Sequence, residues 1–195
     1  MSNPKIEIKN TEILSKNWAK LSKVTFNYET PDGKIQVHKR EVYDRGNGAV
    51  IFLYNKKTKN IILIKQFRLP TYLNENPTGF LIEACAGVLE EDNPEDCIRR
   101  ETEEETGYEI KDVKKIFEAY MSPGALTEII HFFIGEYSSE MKTSEGGGLD
   151  EEQENIEVLE LPFEKAFDMI ATGEIIDAKT IMLLQYAKIN NLLDS

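Results

Sequence analysis

Two apolar runs in the first third of the chain set the strongest constraint on its fold. AVIFLYN at 49–55 and IILIKQFRLP at 61–70 are joined by the polar turn KKTKN. Their β-branched and aromatic residues predict a hairpin without the polar alternation of a sheet that has one wet face. Both faces of this hairpin must be covered, and the rest of the chain supplies the cover. A helix is expected at 94–106, after the strand FLIEACAG at 80–87 and before strand-like segments at 113–121, 127–137 and 156–161. A second begins near Pro162, with Phe163, Phe167 and Ile170 on one side. A last one starts at Asp177 and carries Met182, Tyr186, Ile189 and Leu193 at helical spacing, both stripes reading as core. Strands in the first half, one helix among them and two at the end define an α+β class with a mixed sheet.

The N-terminal segment alternates differently. VTFNYE at 24–29 and KIQVHKREVY at 34–43 flank Pro31, Asp32 and Gly33, a turn signal, and form a hairpin with one polar face. IEI at 6–8 alternates as a short strand. His38, Lys39 and Arg40 are adjacent on the second hairpin strand, where they serve either as edge charges against mispairing or as contacts to a phosphate or base. TYLNENPTG reads as a loop, and His131 within an apolar strand reads as a half-buried core histidine. Residues 139–155 hold three consecutive glycines and then a dense acidic patch, the pattern of a mobile loop or lid.

Composition narrows the function. A chain of 195 residues with 41% apolar and 30% charged residues supports one well-buried core. Its net charge of −12 disfavours nonspecific binding to nucleic acid or an anionic membrane. Cys85 and Cys97 have no spacing that suggests a disulfide framework, and with only His38 and His131 as nitrogen ligands a typical zinc site is not expected. The first residues lack the basic and apolar regions of a signal peptide. The longest apolar run, AVIFLY, is too short to span a bilayer, so a reducing cytoplasm is the expected location.

The helix at 94–106 carries the chemistry. Asn93 is a good N-cap, Pro94 suits the first turn, Glu95 and Asp96 face the positive end of the dipole, and Gly107 supplies the stop. Glu101, Glu104 and Glu105 are spaced i, i+3, i+4 in the same sector as Cys97 and Ile98, the apolar residues available for packing. One reading is a solvated acidic face. The other is an inward cluster whose repulsion and desolvation are offset by divalent cations, with magnesium suited because it shares its coordination with water and substrate phosphates. Arg100 beside the cluster can hold a carboxylate.

The run from Arg100 through Glu101, Thr102, Glu103, Glu104, Glu105, Thr106 and Gly107 to Tyr108 resembles the second half of the Nudix box. Thr102 and Tyr108 stand at positions usually occupied by bulky aliphatics, and the first half is one residue short, so that counting back from Arg100 reaches Asp92 and Ala86. Asp92 then takes the place of the glutamate that orients the arginine. HKREVYDRGNGA at 38–49, QFR at 66–68, LIEACAG, YMSPG at 120–124, TEIIHFFI at 127–134 and TGEIIDAKT at 172–180 extend the likeness to the nucleotide-sugar pyrophosphatases of this superfamily.

That resemblance implies an α/β/α sandwich at 46–195, preceded by an antiparallel β segment at 1–45 that is exchanged in a homodimer. It implies Mg2+ held by Glu101, Glu104, Glu105, Glu154 and the Ala86 carbonyl, with Arg100 and Glu104 among the catalytic residues. Glu154 is the expected base, and Glu151 and Glu152 compete with it. The substrate contacts implied are Trp18, Lys39, Arg40, Glu41, Arg68, Ala86, Gly87, Glu105, Glu128, Gln153, Glu154 and Lys179, with Lys39, Arg40 and Glu41 reaching the partner subunit's site. Hydrolysis of GDP-mannose to GMP and mannose 1-phosphate is the implied activity. ADP-ribose hydrolysis and a noncatalytic nucleotide-sugar sensor are the alternatives.

Overall fold

The structure, a computed structural model, describes residues 4–89, 91–149 and 154–193. The chain divides into two compact units, residues 1–47 with 120–129 and residues 48–119 with 130–195.

The first unit is built on a three-stranded antiparallel sheet in the order β1 (Ile6–Lys16), β2 (Lys20–Glu29), β3 (Ile35–Asp44). β1 is much longer than the short strand expected at 6–8. Its register breaks between Ile8 and Asn10 and between Ile13 and Ser15, and these irregularities interrupt the alternation that would have marked the strand. The β2–β3 turn is the predicted one, with Gly33 at φ 80°. Pairing of Phe26 with His38 and of Val24 with Arg40 places these residues on one face of the sheet, and Lys39 and Glu41 on the other. On the first face, Ile6, Ile8, Val24, Phe26, Arg40 and Val42 border a cavity of about 540 Å3 closed by residues 123–127.

The second unit is layered around the apolar hairpin. β4 (Gly48–Asn55) and β5 (Asn60–Phe67) lie at the centre of a mixed sheet ordered β10 (Glu157–Pro162), β5, β4, β9 (Ile129–Glu136), β8 (Val113–Tyr120). β4 runs parallel to β9 and antiparallel to β5. The segment expected as one strand at 80–87 is divided. β6 (Phe80–Glu83) pairs with β5, and β7 (Ala86–Val88) pairs with β4, so the chain changes partner at Ala84 and Cys85. A five-residue helix, α1 (Leu69–Leu73), lies in what the sequence presented as a loop.

Alternate residues of β4 point to opposite layers. Ala49, Ile51 and Leu53 join Ile62, Cys85, Phe133 and Ile98 of α2 (Pro94–Thr106) in one core, whereas Phe52 meets Phe163 of α3 (Phe163–Thr172) edge-on at 6.2 Å. The other flanking helix on that side, α4 (Ala178–Ile189), places Tyr186 5.9 Å from Phe117, which is itself 4.5 Å from Phe132. The result is the expected helix, sheet, helix sandwich.

Two details of the apolar stripes differ from the sequence reading. α3 buries Phe163, Ala166 and Met169, with Phe167 and Ile170 at the margin. α4 buries Thr180, Leu183, Leu184 and Ala187, and Ile189 is 79% exposed. The helix is apolar on most sides, so its sequence allows more than one stripe, and a polar residue, Thr180, belongs to the buried one. Among the described residues no helix is long and apolar enough to cross a membrane.

Candidate active site

Helix α2 has the predicted bounds because its two ends are specified locally. Asn93 Oδ1 accepts the N–H groups of Glu95 at 3.0 Å and Asp96 at 3.1 Å, and Gly107 closes the helix at φ 77°. Fully buried Cys97, Ile98 and Thr102 fix the inward face. Thr102 donates to the Ile98 carbonyl at 2.6 Å, and Tyr108 packs on Tyr137 at 5.1 Å, so both unusual residues of the motif still fill core positions.

This docking carries the glutamates inward to different depths. Glu105 is 2% exposed, and its carboxylate accepts the Ala86 N–H at 3.1 Å and the Cys85 thiol. Among the described residues it has no ion-pair partner, and burial pushes its pKa up to about 8. Glu101 lies over Gly87, where a Cβ would collide with its carboxyl group. Burial raises the pKa of Glu101 to about 7, Arg100 opposes the rise, and the charges of Glu104 and Glu154 add to it. Glu104 stands at the rim.

Arg100 does more than the sequence suggested. Its two terminal nitrogens each hold a different carboxylate, Glu104 Oε2 and Glu101 Oε1, both at 2.9 Å, and its Nε stands 3.7 Å from Asp92. The buried thiols are inert at neutral pH. Burial, reinforced by Glu105, pushes Cys85 well up, and burial with Glu101 brings Cys97 to about 11.

The glycine-rich segment is docked against α2. Gly147 N–H donates to the Glu105 carbonyl at 2.9 Å and Gly148 N–H to the Glu104 carbonyl at 3.1 Å, with Gly146, Gly147 and Gly148 at φ 67°, 111° and 81°. The glycines therefore serve to seat the segment on the open end of the helix, where the last carbonyls lack partners. Leu149 N–H donates to Glu154 Oε2 at 3.3 Å, and a Cβ on Gly148 would press on Glu154. Residues 146–149 and 154–157 line a groove of about 680 Å3. Glu151, Glu152 and Gln153 lie outside the described residues.

A second group of charges forms in the same unit. Arg68 Nε donates to Glu83 at 2.7 Å, Lys179 Nζ is 2.7 Å from Asp177 and 3.6 Å from Glu83, and Asp177 caps α4 by accepting from Thr180. The sequence reading named Arg68 and Lys179 and missed Glu83. A lone carboxylate in the apolar strand FLIEACAG was the available signal. His131 is half-buried with Nδ1 3.3 Å from Glu118, and burial followed by Lys115 lowers its pKa.

In the first unit, Trp18 is 74% exposed, and Lys39, Arg40 and Glu41 are exposed on β3. The His38 ring covers Phe26 and Tyr28 at 5.4 and 5.6 Å, and its nitrogens lie 3.0 Å from Gln36 Oε1 and 3.4 Å from Arg40 Nη2. Glu128 is 4% exposed and paired with Arg45, a partner the sequence did not suggest.

The donor set fits a divalent metal. Three glutamates of one helix converge with Glu154, all offer oxygen, and Glu105 is buried without a cation, an arrangement that hard cations with oxygen ligands stabilise. Among the described residues no three carboxylates are drawn into a closed cage, and Arg100 pairs with Glu101 and Glu104.

Known proteins resemble this chain over nearly its whole length. The NUDIX domain model matches residues 44–184, and a model described as the GDP-mannose pyrophosphatase NudK N-terminal domain matches residues 5–43. The chain belongs to the Nudix family and is a Nudix hydrolase, of a class that generally uses a divalent metal. Within it, the chain is 57% identical over 189 residues to the GDP-mannose pyrophosphatase of Yersinia enterocolitica, covering 97% of this chain and 98% of the relative. It is 56% identical over 183 residues to that of Shigella flexneri, covering 94% and 95%. A solved structure described as an ADP compounds hydrolase superposes with a TM-score of 0.72 over 97% of this chain and 98% of the other, at 17% identity, a likeness of fold.

Proposed function

We propose that this chain hydrolyses the pyrophosphate bond of GDP-mannose, giving GMP and mannose 1-phosphate, with Mg2+ as the metal. The observation that carries the chemistry is the set of Glu101, Glu104, Glu105 and Glu154 around the Ala86–Gly87 backbone, with Glu101 and Glu105 desolvated. The choice of sugar nucleotide rests on the relatives of 56–57% identity that bear the name GDP-mannose pyrophosphatase.

Glu101, Glu104, Glu105, Glu154 and the Ala86 carbonyl would hold the metal, which supplies positive charge against the phosphate oxygens and acidifies the attacking water. The protein's own groups set up that reaction. Ala86 N–H fixes one Glu105 oxygen, Gly87 leaves room for Glu101, and Arg100 aligns Glu101 and Glu104 and opposes the rise in the Glu101 pKa. Glu154, held by Leu149 N–H at the edge of the groove, is the group we assign as general base. Arg68 and Lys179 bind the substrate's anionic part. Trp18, Lys39, Arg40, Glu41 and Glu128 contact substrate, the β3 residues in the site of a partner subunit, within a homodimer formed through the segment at 1–45.

Turnover of GDP-mannose and ADP-ribose, measured side by side with and without magnesium, tests this reading. Magnesium-dependent release of GMP, with GDP-mannose preferred in kcat/KM, is the expected result. Preference for ADP-ribose would overturn the substrate, and absence of turnover on either would point to the sensor.

A further inference from the structure

Glu83 closes β6, and its side chain is only 4% exposed. One carboxylate oxygen accepts Arg68 Nε at 2.7 Å, and the other lies 3.6 Å from Lys179 Nζ. Lys179 Nζ is in turn 2.7 Å from one oxygen of Asp177. The other Asp177 oxygen accepts the N–H and the hydroxyl of Thr180 at 2.9 and 2.8 Å. Thr180 Oγ1 accepts the Ala84 N–H at 2.7 Å, which returns the network to the residue beside Glu83. The strand that leads to Ala86 and the N-terminus of α4 are thus locked together by a ring of polar contacts.

Stability alone does not account for this arrangement. Burying a carboxylate with two cations costs desolvation that apolar packing at the same place would avoid. What the carboxylate supplies is geometry. Arg68 spends only Nε on it, and among the described residues its terminal nitrogens have no partner, although the side chain is 38% exposed.

We propose that Glu83 is a positioning residue for substrate binding. It fixes Arg68 through Nε so that the two terminal nitrogens stand as a preset fork, and it holds Lys179 beside that fork. The proposal rests on the pyrophosphatase reading and deepens it. The anionic group of a nucleotide sugar is its pyrophosphate, so the paired cations take the non-bridging oxygens of that group, which a guanidinium fork matches in shape. Because Arg68 is ordered before substrate arrives, the ordering cost is not charged to binding, and losing Glu83 should act on KM.

Glu83→Gln keeps the side chain's volume and an acceptor but removes the charge. It is expected to raise KM for GDP-mannose about tenfold while kcat changes less than threefold. Arg68→Lys should raise KM similarly, and the double variant should be little worse than either single one. The slowly exchanging Nε–H signal of Arg68 in 1H–15N spectra should be present in the native chain and lost in Glu83→Gln. A folded Glu83→Gln with native KM, or one that loses only thermal stability, would overturn the proposal. If the native chain turns over no nucleotide sugar, the functional reading fails by itself and inorganic pyrophosphate becomes the probe. Calorimetric affinity about tenfold weaker in Glu83→Gln would then support the fork, and equal affinity would sink it.

Discussion

Glu105 shows how one buried carboxylate links stability to function. In the folded chain burial lets it keep its proton up to about pH 8, whereas its ordinary value is 4.5. The folded state therefore binds more protons between those limits, and its stability is fullest below about pH 4.5 and declines as pH rises towards 8. The metal-free protein should lose on the order of 5 °C in Tm between pH 5 and 8.5, and Glu105→Gln should flatten that slope. A divalent metal added at pH 8 should restore much of the loss, since it favours the charged carboxylate. Glu154 separates the two jobs of an acidic residue. If it is the base, Glu154→Gln should lower kcat by about 10²–10⁴ while the chain's affinity for GDP-mannose changes little, as measured in single-turnover and binding assays. A proportionate loss of metal affinity would instead make it a ligand first.

At the level of elements, α2 is an autonomous signal and the glycine segment is not. Asn93, Pro94 and Gly107 set the helix ends from short-range rules, so 94–106 was readable without any tertiary contact. Removing the cap with Asn93→Ala should cost about 1 kcal/mol, seen as a fall of about 2–4 °C in Tm. The run Gly146, Gly147, Gly148 carried a true signal, positive φ, but its purpose was hidden because the acceptors are carbonyls some forty residues earlier in the chain. The division of 80–87 into β6 and β7 was hidden for a similar reason. Both pieces are extended, and only the positions of β5 and β4 decide that the chain switches partner between them. α4 went the same way, since a helix apolar on several sides takes its buried stripe from what it packs against.

For the whole molecule, the first unit leaves Ile6, Ile8 and Ile13 51–59% exposed along one strand, and Trp18 at 74%. Apolar surface of this extent suits an interface. A solution mass near twice 22.3 kDa is expected, and Ile8→Asp should reduce it and lower activity at the same time, because Lys39 and Arg40 are assigned to the partner's site. A stable monomer with full activity would remove them from that role. The sequence by itself determined the layered α+β class, the sector of Glu101, Glu104 and Glu105, and the family, because apolar periodicity, helix caps and motif spacing are local in the chain. Only the tertiary structure decided which carboxylates are desolvated, that Arg100 divides its fork between two of them, that Arg45 holds Glu128, and that Glu83 joins Arg68 to Lys179. Those facts depend on burial and on contacts between segments far apart in sequence, and neither quantity is encoded in any one stretch of residues.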